Sequence, residues 1–342
     1  MDVRLSTEQQ VLRETAARVV NDLAPGTVAA LDDRGRIDRL EAAVVESGWR
    51  QLRADSDDGG PLASGVEVAI VVEELGRGLA DVAFLGPTLA AELRRLAGAV
   101  PAEGSETVAL DRNLSDVARA MGDEPPAAVA IDAAGATSAL MVQPSSDGLV
   151  LAAAGLVTAE TGLDLTRPVA ALDTSVSLVR VGEPAGLLSD DGLTAWAALG
   201  LALTCADLVG VMRGAVELAR HYASHRRQYD APIGSFQAVQ HMLADAYVAT
   251  EGSKSVALYA AWAVDALGAT EALAAADLAK AYCSRAARSV CETVIQVHGG
   301  IGNTWECLAH VYLRRALESI DLLGGAGVSL SRVLVHHGIG DR

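Results

Sequence analysis

The spacing of hydrophobic residues changes twice along this chain of 342 residues. From Leu5 to about residue 100, apolar residues recur every three or four positions, which is typical of helices. Over roughly 104–185, short runs rich in Val, Ala and Leu alternate with clusters of Gly, Pro, Asp and Ser, which is typical of strands and turns. Helical spacing then returns in four long segments, at 194–225, 235–266, 269–297 and 308–338. The sequence therefore predicts an α+β fold in the order helical, β, helical.

These changes divide the chain into three predicted domains. They are an N-terminal helical domain at 1–103, a small and reduced middle β-domain at 104–190, and a C-terminal four-helix bundle at 191–342. Ser6 and Gln9 have the spacing of a capping box that starts the first helix. The short strands of the middle domain favour an antiparallel sheet. Gly210 and Gly214 share one helix face, which favours close helix packing there.

In the second helical stretch, VEVAIVVEELGRGL, we interpret Glu73 and Glu74 mainly as a solvated edge. RADSDDGGPLASG, just before it, has the Gly, Asp and Pro content of a loop.

The charge of the chain restricts its partners. With 44 acidic and 27 basic residues, the net charge is −17, which argues against nucleic acid or an anionic membrane as a ligand. The mean hydropathy is +0.27, yet Asp265 interrupts the longest apolar candidate before it reaches 18 residues. The first ten residues lack the pattern of a secretory signal, so we expect a cytoplasmic protein.

Two adjacent arginines stand out in this acidic chain. Residues 225–237 read HRRQYDAPIGSFQ, so His225, Arg226 and Arg227 fall where a long helix should end. Cations at that place can simply complement the helix dipole and the unpaired carbonyls. The planar fork of arginine equally suits two-point contact with phosphate oxygens.

The turn that follows the arginines leads into another amphipathic helix. Ser235 can cap this helix, and Gln237 and Gln240 place uncharged donors beside the arginines. The helix presents one stripe of residues, Phe236, Val239, Gln240, Leu243 and Tyr247.

A second stretch, QVHGGIGNTWE at 296–306, combines glycines with a helix end. Gly299 and Gly300 after His298 make a natural left-handed stop. They follow a helix, whereas the glycines of a dinucleotide-binding βαβ unit follow a strand. The sequence therefore does not predict a site of that kind.

Other kinds of site find little support in the sequence. Two pairs of nearby histidines, His221 with His225 and His336 with His337, lack a third ligand at metal-binding spacing, so we predict no metal site. No nucleophile-elbow motif occurs either. The four cysteines, which show no CxxC spacing, are expected to be buried and reduced; they are Cys205, Cys283, Cys291 and Cys307.

Taken together, the two stretches resemble signatures of the acyl-CoA dehydrogenase family. RRQYDAPIGSFQAVQHMLADA is similar to its helix–turn–helix signature, and QVHGGIGNTWECLAHVYLRRA to its Gly-Gly-x-Gly-then-Glu signature. The phrases LSTEQQVLRETAARVV, ESGWRQL and VVEELGRGLA resemble its opening helical domain. The resemblance covers nearly the whole chain and agrees with the helical, β, helical order.

The resemblance implies FAD as cofactor and an acyl-CoA substrate, in which an α,β-double bond is introduced. In the family a glutamate takes the α-proton while the β-hydrogen leaves as hydride to the flavin, and the thioester carbonyl is polarised by hydrogen bonds. Carried over by position, the FAD contacts are Arg226 at the pyrophosphate, with Arg227 as a weaker second, Tyr229, Gln237, Gln296, Gly299 and Gly300. In the family these contacts serve a flavin seated largely on the neighbouring subunit.

Both family positions for the catalytic base are occupied by other residues. Counting from Arg314, the usual glutamate position is Leu323, and the position used by a second branch falls near Gly200. Neither side chain can accept a proton. Glu318 and Asp321 are displaced candidates, while Glu306 belongs to the family's structural pattern. The sequence motifs with which the family lines the flavin ring also have no counterpart in residues 104–190.

We therefore expect a subunit without a base, paired with a second acyl-CoA dehydrogenase subunit that carries the glutamate, in an α2β2 heterotetramer. This arrangement resembles actinobacterial enzymes of steroid (cholesterol) side-chain breakdown. Two alternatives remain: a complete homo-oligomeric dehydrogenase with a relocated carboxylate, or a scaffold or regulatory subunit that binds no flavin.

Overall fold

The computed structural model describes residues 4–56, 59–146, 148–181 and 187–340. The small parts of the predicted N-terminal helical domain, middle β-domain and C-terminal bundle that fall in the gaps lie outside the described residues. The N-terminal part contains four helices, α1 (Thr7–Leu23), α2 (Arg34–Glu46), α3 (Gly65–Arg77) and α4 (Leu85–Leu96). The predicted capping box is confirmed, because the Ser6 side chain accepts from the Gln9 amide and the Gln9 side chain accepts from the Ser6 amide.

The middle part of the chain is a mixed sheet rather than the antiparallel one that we predicted. Its strands are β1 (Glu106–Asp111), β2 (Ala128–Ala130), β3 (Ser138–Ser145), β4 (Gly148–Gly155), β5 (Ala170–Ala171) and β6 (Val179–Arg180). They lie in the order β5-β2-β1-β3-β4-β6, and β1 and β3 run parallel with Glu106 opposite Ser138. β2 runs antiparallel to β1 and therefore points towards the start of β1. Residues 131–137 then pass that start, where the Thr137 amide donates to the Ser105 carbonyl over 2.9 Å. β3 then runs along the other edge of β1 and parallel to it.

The C-terminal part is built on three long helices, α5 (Asp190–His225), α6 (Gln237–Ala266) and α7 (Ala269–His298). The segment predicted as one helix over 308–338 is instead two, α8 (Ala309–Asp321) and α9 (Ala326–His336). The break lies at Leu323 and Gly324, whose φ angles of 60° and 94° are incompatible with a continuous helix. The fourth member of the bundle is therefore a pair of successive helices.

The central helix α5 packs closely on α3, as its two glycines predict. A Cβ on Gly210 would overlap the Glu73 carbonyl oxygen, and one on Gly214 would overlap the Arg77 carbonyl oxygen. Within the described residues, α5 is the helix long and apolar enough to cross a membrane, and 89% of its most apolar window is buried in the protein.

The interpretation of Glu73 and Glu74 as a solvated edge is wrong. Arg213 on α5 donates to both carboxylates, and only 2% of the Glu74 side chain is exposed. Burial alone would raise the pKa of Glu74, but Arg213 and Arg77 outweigh it and lower that pKa. The two glutamates therefore fix the contact between α3 and α5, which the amphipathic pattern of α3 alone did not reveal.

Candidate functional site

The two arginines lead into a short hairpin at the end of α5. Its strands are β7 (Arg227–Gln228) and β8 (Ala231–Pro232), and the two residues between them, Tyr229 and Asp230, have φ angles of 51° and 60°. Tight hairpin turns with two positive φ angles normally use Asn and Gly, and another residue in this region costs about 1–2 kcal/mol. This strained turn leaves the Tyr229 ring 91% exposed. Such strain is common where a side chain must be held for a ligand.

The structure gives the two arginines different surroundings. The Arg227 guanidinium donates to the Asp230 carbonyl and so closes the turn. Arg226 is fixed through its backbone, since its amide donates to the Tyr222 carbonyl over 2.8 Å and its carbonyl accepts from the Ile233 amide over 2.8 Å. Within the described residues, the Arg226 guanidinium makes neither a hydrogen bond nor an ion pair. It therefore does not cap the carbonyls of α5, and its donors are available to an anion.

The start of α6 differs in part from the prediction. Ser235 does not cap the helix, because its hydroxyl donates to the Pro232 carbonyl over 2.7 Å and Phe236 occupies the capping position. The Gln240 side chain donates to the Gly234 carbonyl over 3.0 Å and so belongs to the turn. Gln237, the first residue of α6, is exposed. Of the two glutamines, Gln237 is thus the better placed to bind a ligand.

The second predicted segment lies at the same end of the bundle. The His298 ring at the end of α7 stacks on the Tyr222 ring near the end of α5, with a centroid distance of 4.5 Å. Gln296, Gly299 and Gly300 are exposed, and a Cβ added to either glycine would meet nothing within 4 Å. The two segments therefore present their side chains and an open stretch of backbone on the same surface.

The two predicted base positions are in contact with each other inside the protein. Gly200 on α5 faces Leu323 between α8 and α9, and a Cβ on Gly200 would overlap Leu323 Cδ1 and lie 3.4 Å from Leu89 Cδ2. Leu323 is only 3% exposed. The volume that a glutamate side chain would need at either position is thus filled by leucine.

A loop of the sheet closes this region from the other side. The Gly324 amide donates to the carbonyl of Leu114, in the loop between β1 and β2, over 3.1 Å. A cavity of about 200 Å³ remains, bordered by Ser115, Trp196 and Leu323. Among the described residues, its one acidic side chain is Asp116, which is 47% exposed. We did not predict Asp116 as a candidate base because its place beside Leu323 depends on the pairing of the sheet with the bundle.

The displaced acids that the sequence indicated do not border this cavity. One Glu318 oxygen accepts from the Asp164 amide over 3.0 Å, and the side chain faces the loop that carries Arg167. Burial raises the pKa of Glu318, although Arg167 opposes the rise. Asp321 is exposed.

A lysine that sequence reasoning missed supports Leu323. The Lys280 ammonium on α7 is fully buried and donates to the carbonyls of Ser319 and Leu322, over 2.6 and 2.7 Å. Burial lowers the pKa of Lys280 from 10.5 to about 8. Lys280 therefore binds the end of α8 at the residue that precedes Leu323. Its position in a regular amphipathic helix gave no signal that its charge is buried.

The thiols and acidic clusters add no further site. Cys205, Cys283 and Cys291 are buried and Cys307 is half-buried, and all four are free. Burial raises the pKa of Cys291 to about 12, which keeps its thiol protonated. A search of the described residues for three or more His, Cys, Asp or Glu side chains able to share a metal ion finds none.

Comparison with known proteins identifies two matching family models. Residues 6–99 match the model described as the acyl-CoA dehydrogenase N-terminal domain, and residues 198–331 match that of the C-terminal domain. The chain is 34% identical over 329 residues to the acyl-CoA dehydrogenase IpdE2 of Mycobacterium tuberculosis, covering 92% of this chain and 93% of that protein.

Solved structures show the same fold at lower identity. The ChsE4–ChsE5 complex from Mycobacterium tuberculosis is 22% identical with a TM-score of 0.77, covering 99% of each chain. A variant of the steroid acyl-CoA dehydrogenase Tcur3481–Tcur3483 is also 22% identical with a TM-score of 0.77, covering 97% of this chain and 98% of that one.

Proposed function

The chain belongs to the acyl-CoA dehydrogenase family, and on that premise we propose that it is the subunit without a catalytic base in a heteromeric, FAD-dependent enzyme. That enzyme introduces an α,β-double bond into an acyl-CoA thioester. The observation that carries the proposal is the contact between Leu323 and Gly200, because it fills both places where the family carries its glutamate. A chain built in this way depends on a carboxylate from another subunit.

The predicted FAD contacts support the same assignment of roles to the two subunits. The predicted residues are all exposed, and their two segments lie at the same end of the bundle: Arg226, Tyr229, Gln237, Gln296, Gly299 and Gly300. The cavity beside Leu323 has a volume of about 200 Å³, which is too small for a flavin ring with a substrate beside it. Exposed FAD-contact residues together with a small cavity are expected if the chain completes a flavin site on a neighbouring subunit.

Each exposed group has a role that its chemistry allows. We assign Arg226 to the pyrophosphate, where a free guanidinium offers two parallel donors to phosphate oxygens. Tyr229 provides a flat face beside the adenosine half of the cofactor, and Gln237 a neutral hydrogen-bonding group. The backbone at Gly299 and Gly300 permits close approach because no Cβ intervenes. FAD supplies the acceptor for the β-hydrogen as hydride, and the glutamate that takes the α-proton belongs to the partner.

The partner and the substrate class rest on similarity. Both solved structures described above are complexes of two different chains, and one of them is a steroid acyl-CoA dehydrogenase. We therefore propose a cytoplasmic α2β2 heterotetramer with a second acyl-CoA dehydrogenase subunit. The acyl group of its substrate is bulky, such as a steroid side chain.

Two alternatives are less well supported by the geometry. A homo-oligomer with a relocated base would need Glu318 or Asp321 in the cleft, but Glu318 faces Asp164 and Asp321 faces solvent. Asp116 is better placed, at the edge of a cavity closed by Leu323. A scaffold that binds no flavin would have no use for an Arg226 that is unpaired within the described residues and lies beside a strained, exposed Tyr229.

The test is to purify the chain alone and together with the product of its neighbouring gene, and to measure bound FAD and acyl-CoA dehydrogenation. We expect both only in the complex. Glu318→Gln and Asp321→Asn test the two displaced candidates, and each variant should keep the turnover of that complex. Full flavin content and turnover in the lone chain would refute the proposal, and loss of that turnover in either variant would establish the relocated base instead.

A further inference from the structure

A second cavity, of about 300 Å³, lies between the N-terminal helices and the bundle, away from the proposed flavin surface. Its wall on α6 includes Lys254 and Ala257, whereas the flavin surface is at the start of α6 near Gln237. At 1.5 Å of rise per residue, the 17 residues from Gln237 to Lys254 span about 25 Å. The two sites are therefore separate.

The floor of this cavity is aliphatic. Small and branched side chains from three helices form it, and each is less than 9% exposed: Val66, Ala69 and Ile70 on α3, Ala206 on α5, and Ala257 on α6. Binding of an apolar group that displaces water from such a surface has a favourable free energy. Its volume is at the lower end for ligand pockets, about 300–1,000 Å³, so it suits a short aliphatic chain.

The rim carries two cations that no described residue neutralises. Arg13 on α1 and Lys254 on α6 both border the cavity and are half-buried. In the described part of the chain, neither makes a hydrogen bond or an ion pair. Glu73, the acidic residue on the wall, is already paired with Arg213. In a chain with a net charge of −17, two partly desolvated cations without a counter-charge among the described residues mark a place for an anion.

We propose that this cavity binds an aliphatic carboxylate of medium chain length, with the head group between Arg13 and Lys254 and the chain on the apolar floor. Such a ligand contacts α1, α3, α5 and α6 together. It therefore ties the N-terminal helices to the bundle. The proposal concerns the chain by itself and does not depend on the flavin site.

Calorimetric titration of the purified full-length chain with decanoate tests this site. We expect saturable binding, with acetate and 1-decanol each at least about tenfold weaker, because acetate lacks the chain and decanol lacks the charge. An R13Q/K254Q double variant should weaken decanoate binding about tenfold or more. Arg18→Gln, an exposed cation on α1 outside the cavity, is the matched control and should bind as the wild type does.

Three results would overturn the proposal: no saturable binding of decanoate, equal binding of decanol, or unchanged binding in the double variant. Because neither FAD nor a partner subunit takes part, the result is independent of whether the proposed dehydrogenase function is correct. Circular dichroism of the variants verifies that the substitutions leave the fold intact.

Discussion

At the scale of single residues, Arg226 and Arg227 are neighbours with different tasks. Arg227 is used inside the protein to close the hairpin turn, whereas the guanidinium of Arg226 has no partner within the described residues. The sequence placed both at a helix end and could not choose between capping and anion binding. The choice depends on where each side chain points after the helix has ended, and no pattern of residue types encodes that direction.

Arg226→Ala should weaken FAD binding by the purified heteromeric complex. Loss of a charge-assisted pair of hydrogen bonds is worth about 1.5–3 kcal/mol, so we expect the dissociation constant to rise about ten- to a hundredfold. Flavin fluorescence during titration of the apo-complex measures this. Arg220→Ala is the matched control, since Arg220 is an exposed cation of the same helix paired with Glu217. Equal FAD affinity in the two variants would contradict the role of Arg226.

Gly200 and Leu323 should behave as a coupled pair. Gly200→Ala alone forces Leu323 to move, which costs about 1–3 kcal/mol and outweighs the gain of about 1 kcal/mol from replacing a helical glycine. In a Leu323→Ala background the overlap is gone, so the same substitution should stabilise the protein. Urea unfolding of the four proteins of the cycle gives the coupling free energy. Additive effects would mean that the two side chains do not share this space.

At the scale of elements, the long helices were predictable and the connections between them were not. The bounds of α5, α6 and α7 fall close to the predicted ones because a 3.6-residue period persists through each. The break between α8 and α9 was missed because that period continues on both sides of Leu323. The parallel pairing of β1 and β3 was also missed. A strand alternates in the same way whichever direction its neighbour runs, and the short crossing segment at 131–137 carries no sign of its path.

The candidate site divides along the same line. Its FAD-contact residues are predicted from two local signatures, because each signature lies within one helix end and its turn, and their role stays a prediction. The contact between Gly200 and Leu323 could not be predicted, since it depends on the packing of α5 against the α8–α9 connection. Lys280, which supports that connection, and Asp116, which borders the cavity, were missed for the same reason.

The burial of Lys280 under the end of α8 should appear in the pH dependence of stability. The pKa of Lys280 is about 8 in the folded protein and near 10.5 when unfolded. Between these values the unfolded chain holds more protons, so the free energy of unfolding rises with pH, at most about 1.4 kcal/mol per unit. Below about pH 8 both states are protonated and this contribution is flat.

Urea unfolding of wild type and Lys280→Met between pH 7 and pH 10 isolates this effect. The wild type should gain stability relative to the variant as pH rises through about 8. Parallel curves for the two proteins would indicate that Lys280 keeps an ordinary pKa in the fold.

At the scale of the whole molecule, a buried ionic network joins the three parts of the chain. Asp207 on α5 accepts from Arg315 on α8 over 2.7 and 3.0 Å and pairs with Arg167, from the sheet region, over 3.4 Å. Arg315 also donates to the carbonyl of Ala80, which follows α3, over 3.0 Å. Burial by itself would raise the pKa of Asp207, but Arg315 and Arg167 outweigh it and lower that pKa.

Asp207→Asn should therefore destabilise the molecule as a unit. It leaves Arg315 buried without its counter-charge, while Arg167 keeps its pair with Asp164. Breaking a buried pair costs about 3–5 kcal/mol. We expect one cooperative unfolding transition at lower denaturant for this variant, seen alike by tryptophan fluorescence and far-ultraviolet circular dichroism. Separate transitions for the two signals would show that the parts unfold independently. Asp173→Asn, on an exposed loop of the sheet region, is the control that should cost little.

The Gly200–Leu323 contact also has an evolutionary consequence. A glutamate at position 200 collides with Leu323, and a glutamate at position 323 has to replace a packed leucine while Lys280 still fixes the chain beside it. If the chain is the subunit without a base that we propose, self-sufficient catalysis would need at least two substitutions, and the first of them lowers stability before the second can bring any benefit. Selection would then retain the proposed partner subunit for a reason of packing alone. The dependence that we propose is for this reason hard to reverse.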